Sequence, residues 1–424
     1  KEELAILHLR LRGAATKGRT QIVEIGATAT GSEPYAQRSI RCESGEAAKA
    51  LSELLNSDDS LAKQLRDGSV VVVLGRSSVA ESADPAVATA SLIQSELPHA
   101  TFLVALRRGN VRGALDMGLT PGFLPGRTRI SNPSAMLAQK WQQIPEEQGL
   151  DTSEMLQAAA SGQIETLILL GADPLSDFPD RNLAAEAIQK VKTVIAIDNF
   201  VTSSVAQADI VLPATAYGEQ SGTTTNIEGR ISRVTQKITP PGSTRDDWMI
   251  ATELAWRLGG DLELTSKEDI WREIEQVAPS HAGVTLERVL SNETLEGILV
   301  QETSIDLNLP VPRDTPIADG YGLRLISGRK LWDAATTTAH SPSLRHLAES
   351  PSLKVHSNDL ERLGIPTGTE VRVISTRATE NLTVVADDNV QRGTAVLPFN
   401  QPGGSANRFI DATAVINDIR IETL

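Results

Sequence analysis

The sequence has 424 residues and a formal net charge of −14, with 40% hydrophobic, 22% charged and only 3% aromatic residues. These values are ordinary for a globular protein of about two to four domains with aliphatic cores, and the negative charge disfavours a nucleic-acid partner. The single cysteine, Cys42, excludes an intrachain disulfide and a cysteine-rich zinc or iron–sulfur site, so we expect an incidental or structural thiol. The six histidines form no metal-binding pair at helical spacing, and we expect no metal ligands.

Neither a membrane span nor a secretory signal is visible in the sequence. No apolar run approaches the ~20 residues that cross a bilayer, so we expect no direct membrane insertion. The chain begins at Lys1 rather than at methionine. We therefore expect a fragment or a trimmed chain of a cytoplasmic protein.

Residues 1–66 predict a partial α/β unit whose beginning is missing. Helical spacing of Leu4, Leu7 and Leu11 is followed by a strand at Thr20–Ile25 and a second helix at Gly45–Leu55.

Residues 67–150 predict a Rossmann-like α/β domain. Ser69–Leu74 reads SVVVVL, and such a continuous apolar run predicts a fully buried parallel strand, covered on both faces. A helix at Pro85–Leu97 and a strand at Thr101–Leu106 follow. Arg107–Arg127 contains five glycines, beginning with Gly109, and predicts an ordered loop with little regular structure.

Residues 151–320 predict a second α/β domain followed by a linker. Its predicted strands alternate with helices, which indicates a doubly wound parallel sheet; they are Glu165–Leu170, Thr193–Ile197 and Ala208–Leu212. Ligands of such sheets bind beyond the carboxyl ends of the strands, where Gly171, Asp173 and Asp198 lie. The carboxylates of this region fit turn and cap roles better than a metal site. The proline-rich run at 307–320 predicts an extended linker.

The run from Ala208 to Arg230, ADIVLPATAYGEQSGTTTNIEGR, follows the last of these strands. Its glycines and short hydroxyls suit a polyanion at the end of an α/β sheet, although a polar surface loop has the same composition. The order of residues resembles the signature of the molybdopterin oxidoreductase family, in which a strand ending in Leu-Pro precedes Glu-x-x-Gly-Thr and Asn-x-Glu-x-Arg. The matching residues here are Glu219, Gly222, Thr223, Asn226, Glu228 and Arg230. Asp116-Met117-Gly118 also resembles a glycine-rich run of formate dehydrogenases.

Residues 321–424 contain short β-rich segments separated by turns, which predict a barrel. The run from Val355 to Val373 resembles the C-terminal double-psi β-barrel, the molybdopterin dinucleotide-binding domain, of these enzymes. The resemblance implies the fold of formate dehydrogenase and DMSO reductase: doubly wound parallel sheets followed by that barrel.

Within this family, the chain resembles the C-terminal region of the iron–sulfur G subunit of NADH-quinone oxidoreductase, respiratory complex I. The runs Arg329–Asp333 and His340–Leu344 carry this resemblance. Gly26-Ala27-Thr28 and Asn407–Ile410 depart from the patterns of cofactor-binding members. The resemblance implies a vestigial cofactor cleft without a catalytic residue, and its expected lining is Gly109, Gly171, Asp173, Asp198, Glu219, Gly222, Thr223, Asn226, Arg230 and Asn407.

The same resemblance implies the cofactors and partners. No cofactor is expected in this stretch, whereas 2Fe-2S and 4Fe-4S clusters are expected in a preceding region of the longer protein. The expected partners are other peripheral-arm subunits of complex I, at the cytoplasmic side of the inner (plasma) membrane. One alternative is the C-terminal part of a molybdenum bis-molybdopterin oxidoreductase such as formate dehydrogenase, with bound molybdopterin dinucleotide. Another is an unrelated α/β protein that binds a nucleotide or small anion.

Overall fold

A computed structural model describes residues 2–141, 143–291, 296–301, 309–318, 320 and 322–424. The chain divides into two compact units. Unit 1 comprises residues 1–105, 174–185 and 308–424, and unit 2 comprises residues 106–173 and 186–307. Part of the predicted linker at 307–320 lies outside the described residues. The division into four domains remains a prediction.

The α-helices of the described residues are, in chain order, α1 Ala5–Thr16, α2 Ala47–Leu55, α3 Ser60–Asp67, α4 Asp84–Glu96, α5 Val111–Asp116, α6 Ala135–Lys140, α7 Thr152–Ala160, α8 Pro174–Asp177, α9 Arg181–Lys190, α10 Asp247–Arg257, α11 Lys267–Val277, α12 Leu286–Ser291, α13 Thr336–Ala339 and α14 Ser357–Leu363. None of the helices in the described ranges is both long and apolar enough to cross a membrane.

The strands of the described residues are β1 Val23–Gly26, β2 Arg38–Arg41, β3 Val71–Leu74, β4 Thr101–Val104, β5 Phe123–Leu124, β6 Thr128–Arg129, β7 Thr166–Leu170, β8 Thr193–Asp198, β9 Ile210–Pro213, β10 Gly222–Thr225, β11 Arg230–Val234, β12 Ile298–Leu299, β13 Leu323–Ile326, β14 Leu353–Val355, β15 Glu370–Ile374, β16 Thr379–Ala386, β17 Thr394–Val396 and β18 Asp418–Thr423. The predicted combination of parallel α/β sheets with a C-terminal barrel is confirmed.

The α/β part of unit 1 contains two parallel strand pairs, β1–β2 and β3–β4. Helices α2, α3 and α4 supply its aliphatic core because their leucines and isoleucines recur at helical spacing. The buried members of this core are Leu51, Leu54, Leu55, Leu61, Ile93 and Leu97.

The expectation that the SVVVVL strand is covered on both faces is wrong. Val71 and Val73 of β3 are 65% and 41% exposed, and Val104 of the paired strand β4 is 52% exposed. Val72, between them, packs against the helical core. A continuous apolar run shows that a strand is compatible with burial on both faces, but it does not show which face is packed.

The C-terminal part of unit 1 is a closed six-stranded barrel with the order β13-β17-β14-β16-β15-β18. Along the barrel strands, side chains that fill the interior alternate with side chains that face outward. Leu325, Leu353, Val371 and Val384 are fully buried in that interior. Strand β18, which closes the barrel, was not predicted, although its buried Ile419 and Ile421 alternate with exposed residues.

Unit 2 is built on the parallel sheet β7-β8-β9, in which Leu170 lies opposite Ile197 and Asp198 opposite Pro213. A second, antiparallel sheet has the order β10-β11-β12. It packs on α11 and α12 through a core that includes Ile231, Trp271 and Val289.

Helix α7 of unit 2 begins with a capping box. The Asp151 carboxylate accepts the N–H of Glu154 at 2.9 Å, and the Glu154 carboxylate accepts the N–H of Asp151 at 2.8 Å. We expect Asp151→Ala to lower the free energy of unfolding by about 1 kcal/mol, because the N–H of Glu154 loses its side-chain acceptor. Urea denaturation measures the change. Glu154→Ala keeps the bond from the residue 154 N–H to Asp151, so it should lower the free energy of unfolding less than Asp151→Ala does. The reverse order would contradict the capping argument.

Candidate functional site

The carboxyl edge of the β7-β8-β9 sheet brings two of the predicted cleft residues side by side. Gly171 follows β7 with a φ of +55°, a left-handed conformation that suits glycine, and its N–H donates to the Ile197 carbonyl at 2.8 Å. Asp198 ends the adjacent strand β8. Its Oδ1 accepts the N–H groups of Asn199 at 2.7 Å and Phe200 at 3.1 Å. This carboxylate therefore organises the turn that leaves its own strand.

Asp173 is buried beyond the same edge. Its Oδ1 accepts both the N–H of Ser204, at 3.1 Å, and the Ser204 hydroxyl. A buried carboxylate with two such donors joins the loop after β7 to the segment that precedes β9. This contact spans 31 residues and is therefore neither a turn nor a cap. The anticipated cap role is found at Asp180, whose Oδ1 accepts the Leu183 N–H at 2.9 Å.

The signature run does not form the predicted glycine- and threonine-lined loop. Gly222 and Thr223 lie in β10, which pairs with β11 in a hairpin, and Thr223 lies opposite Arg233. The β-branched threonines that follow Gly222 favour a strand, which explains the difference. The backbone N–H and carbonyl groups of this run therefore serve largely in the hydrogen bonds of the hairpin.

Asn226 forms the turn of that hairpin. Its side-chain Oδ1 accepts the N–H groups of Glu228 and Arg230, each at 2.9 Å. Gly229 has a φ of +81°, which the tight turn requires. The Asn-x-Glu-Gly-Arg motif is therefore a turn organised by the Asn226 side chain. The Arg230 side chain pairs with the Glu228 carboxylate at 3.5 Å.

Glu219 also acts within its own turn, the 3₁₀-helix Tyr217–Glu219. Its Oε2 accepts the N–H of Ala216 at 2.8 Å. The carboxylate is half-buried and lies three residues from the beginning of β10. Its contact satisfies the first N–H of the turn in the manner of a helix cap.

The glycine-rich run of unit 2 is more regular than the sequence predicted, because it contains helix α5. Gly109 is exposed in the turn before this helix. Asn110, which sequence reasoning did not single out, accepts the N–H of Thr225 through its Oδ1 at 2.8 Å. This bond attaches the run to the signature hairpin. Gly113 suits the position beside it, because a Cβ there would clash with the Oδ1 of Asn110 and would also lie 3.2 Å from the Thr225 hydroxyl.

The same glycine-rich run contains a buried ionic cluster of Asp116, Arg112 and Arg127, which the sequence did not reveal. Asp116 is 0% exposed, and its Oδ1 lies 3.0 Å from Nε of Arg112 and 3.0 Å from Nε of Arg127. Arg127 has a φ of +59°, which is uncommon for a residue with a side chain. A buried carboxylate shared by two guanidiniums compensates charges that would be costly to bury alone.

His281 lies beside this cluster and is also buried. Its Nδ1 is 2.9 Å from the Ser280 hydroxyl, and its ring meets Trp271 edge-on with centroids 6.0 Å apart. Burial lowers the pKa of His281; the Asp116 carboxylate opposes this effect, and the positive charge of Arg127 reinforces it. His281 is therefore held as the neutral imidazole near neutral pH.

This histidine should make the stability of the protein pH-dependent. An unfolded histidine titrates near pH 6.5, so below that pH the unfolded chain takes up a proton that the folded chain resists. The free energy of unfolding should therefore decrease as the pH falls from about 6.5 towards the lowered pKa of the folded state. Urea denaturation at a series of pH values measures the slope. We expect a shallower slope for His281→Gln, and equal slopes would contradict the assignment.

The remaining candidate, Asn407, lies in the barrel unit and is buried. Its Nδ2 faces the carbonyl oxygens of Ser176 at 3.3 Å and Leu175 at 3.5 Å. Its Oδ1 and the Nδ2 of Asn400, also buried, find no hydrogen-bond partner among the described residues. Buried polar atoms of this kind need an explanation, and a bound polar group is one.

Cys42 lies at the end of β2, half-buried. Burial raises the pKa of its thiol to about 11, and the carboxylates of Glu46 and Glu81 act in the same direction. A thiol with such a pKa is mostly protonated near neutral pH and is a poor nucleophile. Within the described residues, no three His, Cys, Asp or Glu side chains are placed to hold a metal ion.

Comparison with models of protein families identifies the family to which the fold and the signature run belong. The family described as Molybdopterin oxidoreductase matches residues 1–257, and the Molydopterin dinucleotide binding domain matches residues 323–418. The chain belongs to the molybdopterin oxidoreductase family. The first match contains the signature hairpin, and the second covers most of the C-terminal barrel.

Relatives within this family have different named activities. NADPH-Fe(3+) oxidoreductase subunit alpha of Geobacter sulfurreducens is 28% identical over 74% of this chain and 36% of its own length. F420-dependent formate dehydrogenase 2 subunit alpha of Methanococcus maripaludis is 29% identical over 72% of this chain and 48% of its own. The G 2 subunit of NADH-quinone oxidoreductase from Rhizobium meliloti is 29% identical over 69% of this chain and 34% of its own. This chain thus matches between a third and a half of each relative.

The solved structure of acetylene hydratase from Pelobacter acetylenicus has the same fold. It superposes with a TM-score of 0.59 and 15% sequence identity, over 97% of this chain and 75% of that protein. At this identity the likeness concerns the fold alone.

The family implies a molybdopterin cofactor, and the two units fit it differently. In unit 2, one oxygen each of Asp173, Asp198, Glu219 and Asn226 accepts a hydrogen bond from a backbone N–H of the same unit. A ligand that took these same oxygens would compete with backbone N–H groups, although each carboxylate also has a second oxygen. In the barrel unit, by contrast, the buried Asn400 Nδ2 and Asn407 Oδ1 have no hydrogen-bond partner among the described residues, so a donor and an acceptor there are not used internally.

Proposed function

We propose that this chain is the molybdopterin-oxidoreductase-like region of a G-type subunit of NADH-quinone oxidoreductase, and that it serves as a scaffold with a vestigial cofactor cleft. The observation that carries the proposal is that oxygens of the expected cleft residues already accept hydrogen bonds from the chain itself. Side-chain oxygens accept hydrogen bonds from nearby backbone N–H groups in Asp173, Glu219 and Asn226. No chemical step is assigned to molybdenum, because the residues of unit 2 act as structural elements.

The relative from Rhizobium meliloti supports this proposal, as do the runs Arg329–Asp333 and His340–Leu344. Under the proposal, the longer protein carries 2Fe-2S and 4Fe-4S clusters outside these residues and passes electrons between NADH and quinone. Its partners are other subunits of the peripheral arm. The location is then the cytoplasmic side of the inner membrane, reached through the complex rather than by insertion.

Metal and cofactor analysis of the full-length protein, purified anaerobically, tests the proposal. We expect molybdenum far below one atom per chain and no pterin fluorescence after oxidative extraction. A formate dehydrogenase carried through the same procedure controls for loss of the cofactor. Stoichiometric molybdenum together with a released pterin would overturn the proposal.

A molybdenum enzyme of the formate dehydrogenase type is the second candidate. The buried atoms of Asn400 and Asn407 that find no partner among the described residues favour it, as does the relative from Methanococcus maripaludis. When bound, the molybdenum–pterin group supplies a redox-active metal centre. The two asparagines would hold polar groups of its dinucleotide.

Thermal-shift measurements with a panel of nucleoside monophosphates test the barrel directly. A monophosphate at 100 times its dissociation constant should add about 2.7 kcal/mol of stability if the second candidate is correct. The variants Asn400→Ala and Asn407→Ala should then abolish the shift. The scaffold proposal predicts no shift. A nucleotide shift without molybdenum in the full-length protein would instead indicate an α/β protein that binds nucleotides independently of the metal.

A further inference from the structure

One face of helix α10 of unit 2 packs on a small core. Ile250 and Leu254 contact a small core that contains Ile197 and Ala214. The other face turns towards the segment that follows the helix and forms with it a groove of about 420 Å³. We call this the tryptophan groove, and its lining residues are Trp248, Met249, Thr252, Glu253, Trp256, Asp261, Glu263, Leu264 and Thr265.

The far wall of the groove, residues 261–265, is held in place by hydrogen bonds. The chain reverses after α10 through Gly259, whose φ is +90°. The Glu263 N–H then donates to Asp261 Oδ1 at 2.8 Å, and the Thr265 hydroxyl donates to Asp269 Oδ2 at 2.7 Å. The wall is thus tied to the first turn of α11, and the groove needs no rearrangement to exist.

The chemistry of the groove is aromatic and acidic. It contains two of the five tryptophans of the chain, and Trp256 is 65% exposed. Its charged lining residues are the carboxylates of Glu253, Asp261 and Glu263. A tryptophan face attracts a cation, and neighbouring carboxylates strengthen that attraction. The Nε of Arg257 lies 2.7 Å from the Glu253 carboxylate, but this pair is exposed and readily exchanged.

The apolar surface extends past the groove. Leu258 is exposed beyond the end of α10, and Leu262 is exposed on the segment opposite. A small cation would contact the aromatic ring but leave these leucines in water. A peptide whose basic side chain enters the groove would cover them with its flanking residues. Large exposed apolar side chains around an aromatic anchor site are typical of protein interfaces.

We propose that the tryptophan groove is a docking site for an arginine side chain presented by an apolar-flanked segment of a partner protein. The guanidinium stacks on Trp256 and pairs with the carboxylates of the rim, while the flanking residues cover Leu258 and Leu262. The proposal rests only on residues of unit 2. It is independent of whether the cleft holds a cofactor.

NMR of the tryptophan indole N–H groups tests the proposal in the full chain. The probes are the acetylated, amidated tripeptide Leu-Arg-Leu and its neutral isostere with citrulline in place of arginine. We expect the arginine peptide to shift the indole signals of Trp248 and Trp256, with at least about fivefold weaker binding of the citrulline peptide. Acetylarginine amide, which lacks the leucines, should also bind more weakly than the tripeptide.

Three variants separate the proposed contacts. Trp256→Ala should remove binding, and the double variant Asp261→Asn, Glu263→Gln should weaken it about fivefold while leaving the fold intact. Trp332→Ala, which changes a partly exposed tryptophan of unit 1, is the matched control and should bind as wild type does. Equal affinity for the arginine and citrulline peptides would overturn the proposal. Self-association that Trp256→Ala abolishes would also overturn it, because the occupant would then be a second copy of the chain.

Discussion

Replacing Asp116 by alanine is expected to lower the free energy of unfolding by about 3–5 kcal/mol. The carboxylate is fully buried and lies 3.0 Å from Nε of both Arg112 and Arg127. Without it, two largely buried guanidiniums lose their common counter-charge, and the desolvation of each is no longer offset. Urea denaturation, followed by tryptophan fluorescence because Trp271 lies in the same unit, measures the loss.

Two further variants show whether charge is the cause. Asp116→Asn keeps the shape but not the charge, so it should cost nearly as much as alanine; a mild effect would favour packing over electrostatics. Glu165→Ala is the matched control for an exposed pair. Its carboxylate lies 2.6 Å from Lys192 Nζ, but both side chains are about two-thirds exposed, so we expect a loss of only about 0.5 kcal/mol or less.

Gly126→Ala is expected to lower the free energy of unfolding by about 3 kcal/mol or more. Gly126 has a φ of +78°, and a Cβ there would lie 2.6 Å from the backbone N of Pro279 and 2.8 Å from Cα of Ala278. The alanine therefore combines a disfavoured backbone conformation with a clash against backbone that has little room to move. Thermal denaturation measures the effect.

Gly162→Ala separates the two contributions. Gly162 has a φ of +80°, nearly the same as Gly126, but a Cβ there meets nothing within 4 Å. It should therefore show only the conformational cost, about 1–2 kcal/mol. If the two variants are equally destabilised, the close approach between residue 126 and the 278–279 segment is not a significant constraint.

The periodic elements were the most predictable part of this protein. The strands at Thr166–Leu170 and Thr193–Asp198 are short apolar runs between turn residues, and their alternation with helices predicted a parallel sheet correctly. The exposure of Val71 was not predictable, because a run of valines shows no preference for either face. The sequence predicts a loop where strand β10 lies, because Gly222 favours a loop although the three threonines after it favour a strand.

The candidate cleft stays a prediction, but the local roles of several of its residues could not be predicted from the sequence. Resemblance located Glu219 and Asn226, whereas their use as turn-forming acceptors depends on local geometry. The members of the ionic cluster, Arg112, Asp116 and Arg127, lie close together in the sequence, but nothing in their order shows that they are buried around one carboxylate. Asn110 offered no usable signal: an asparagine directly before a short helix predicts a cap, but its Oδ1 makes no cap bond and accepts the N–H of the distant Thr225 instead.

The half-buried thiol of Cys42 has a practical consequence for spectroscopy. With a pKa of about 11, this thiol is mostly protonated at pH 7, and maleimide reagents react with the ionised form. The chain contains no other cysteine. Pairs of cysteines introduced at exposed positions should therefore accept spin labels or fluorophores with almost no background, and the native residue need not be replaced. Distances between the two compact units would then be measurable in the otherwise unaltered protein.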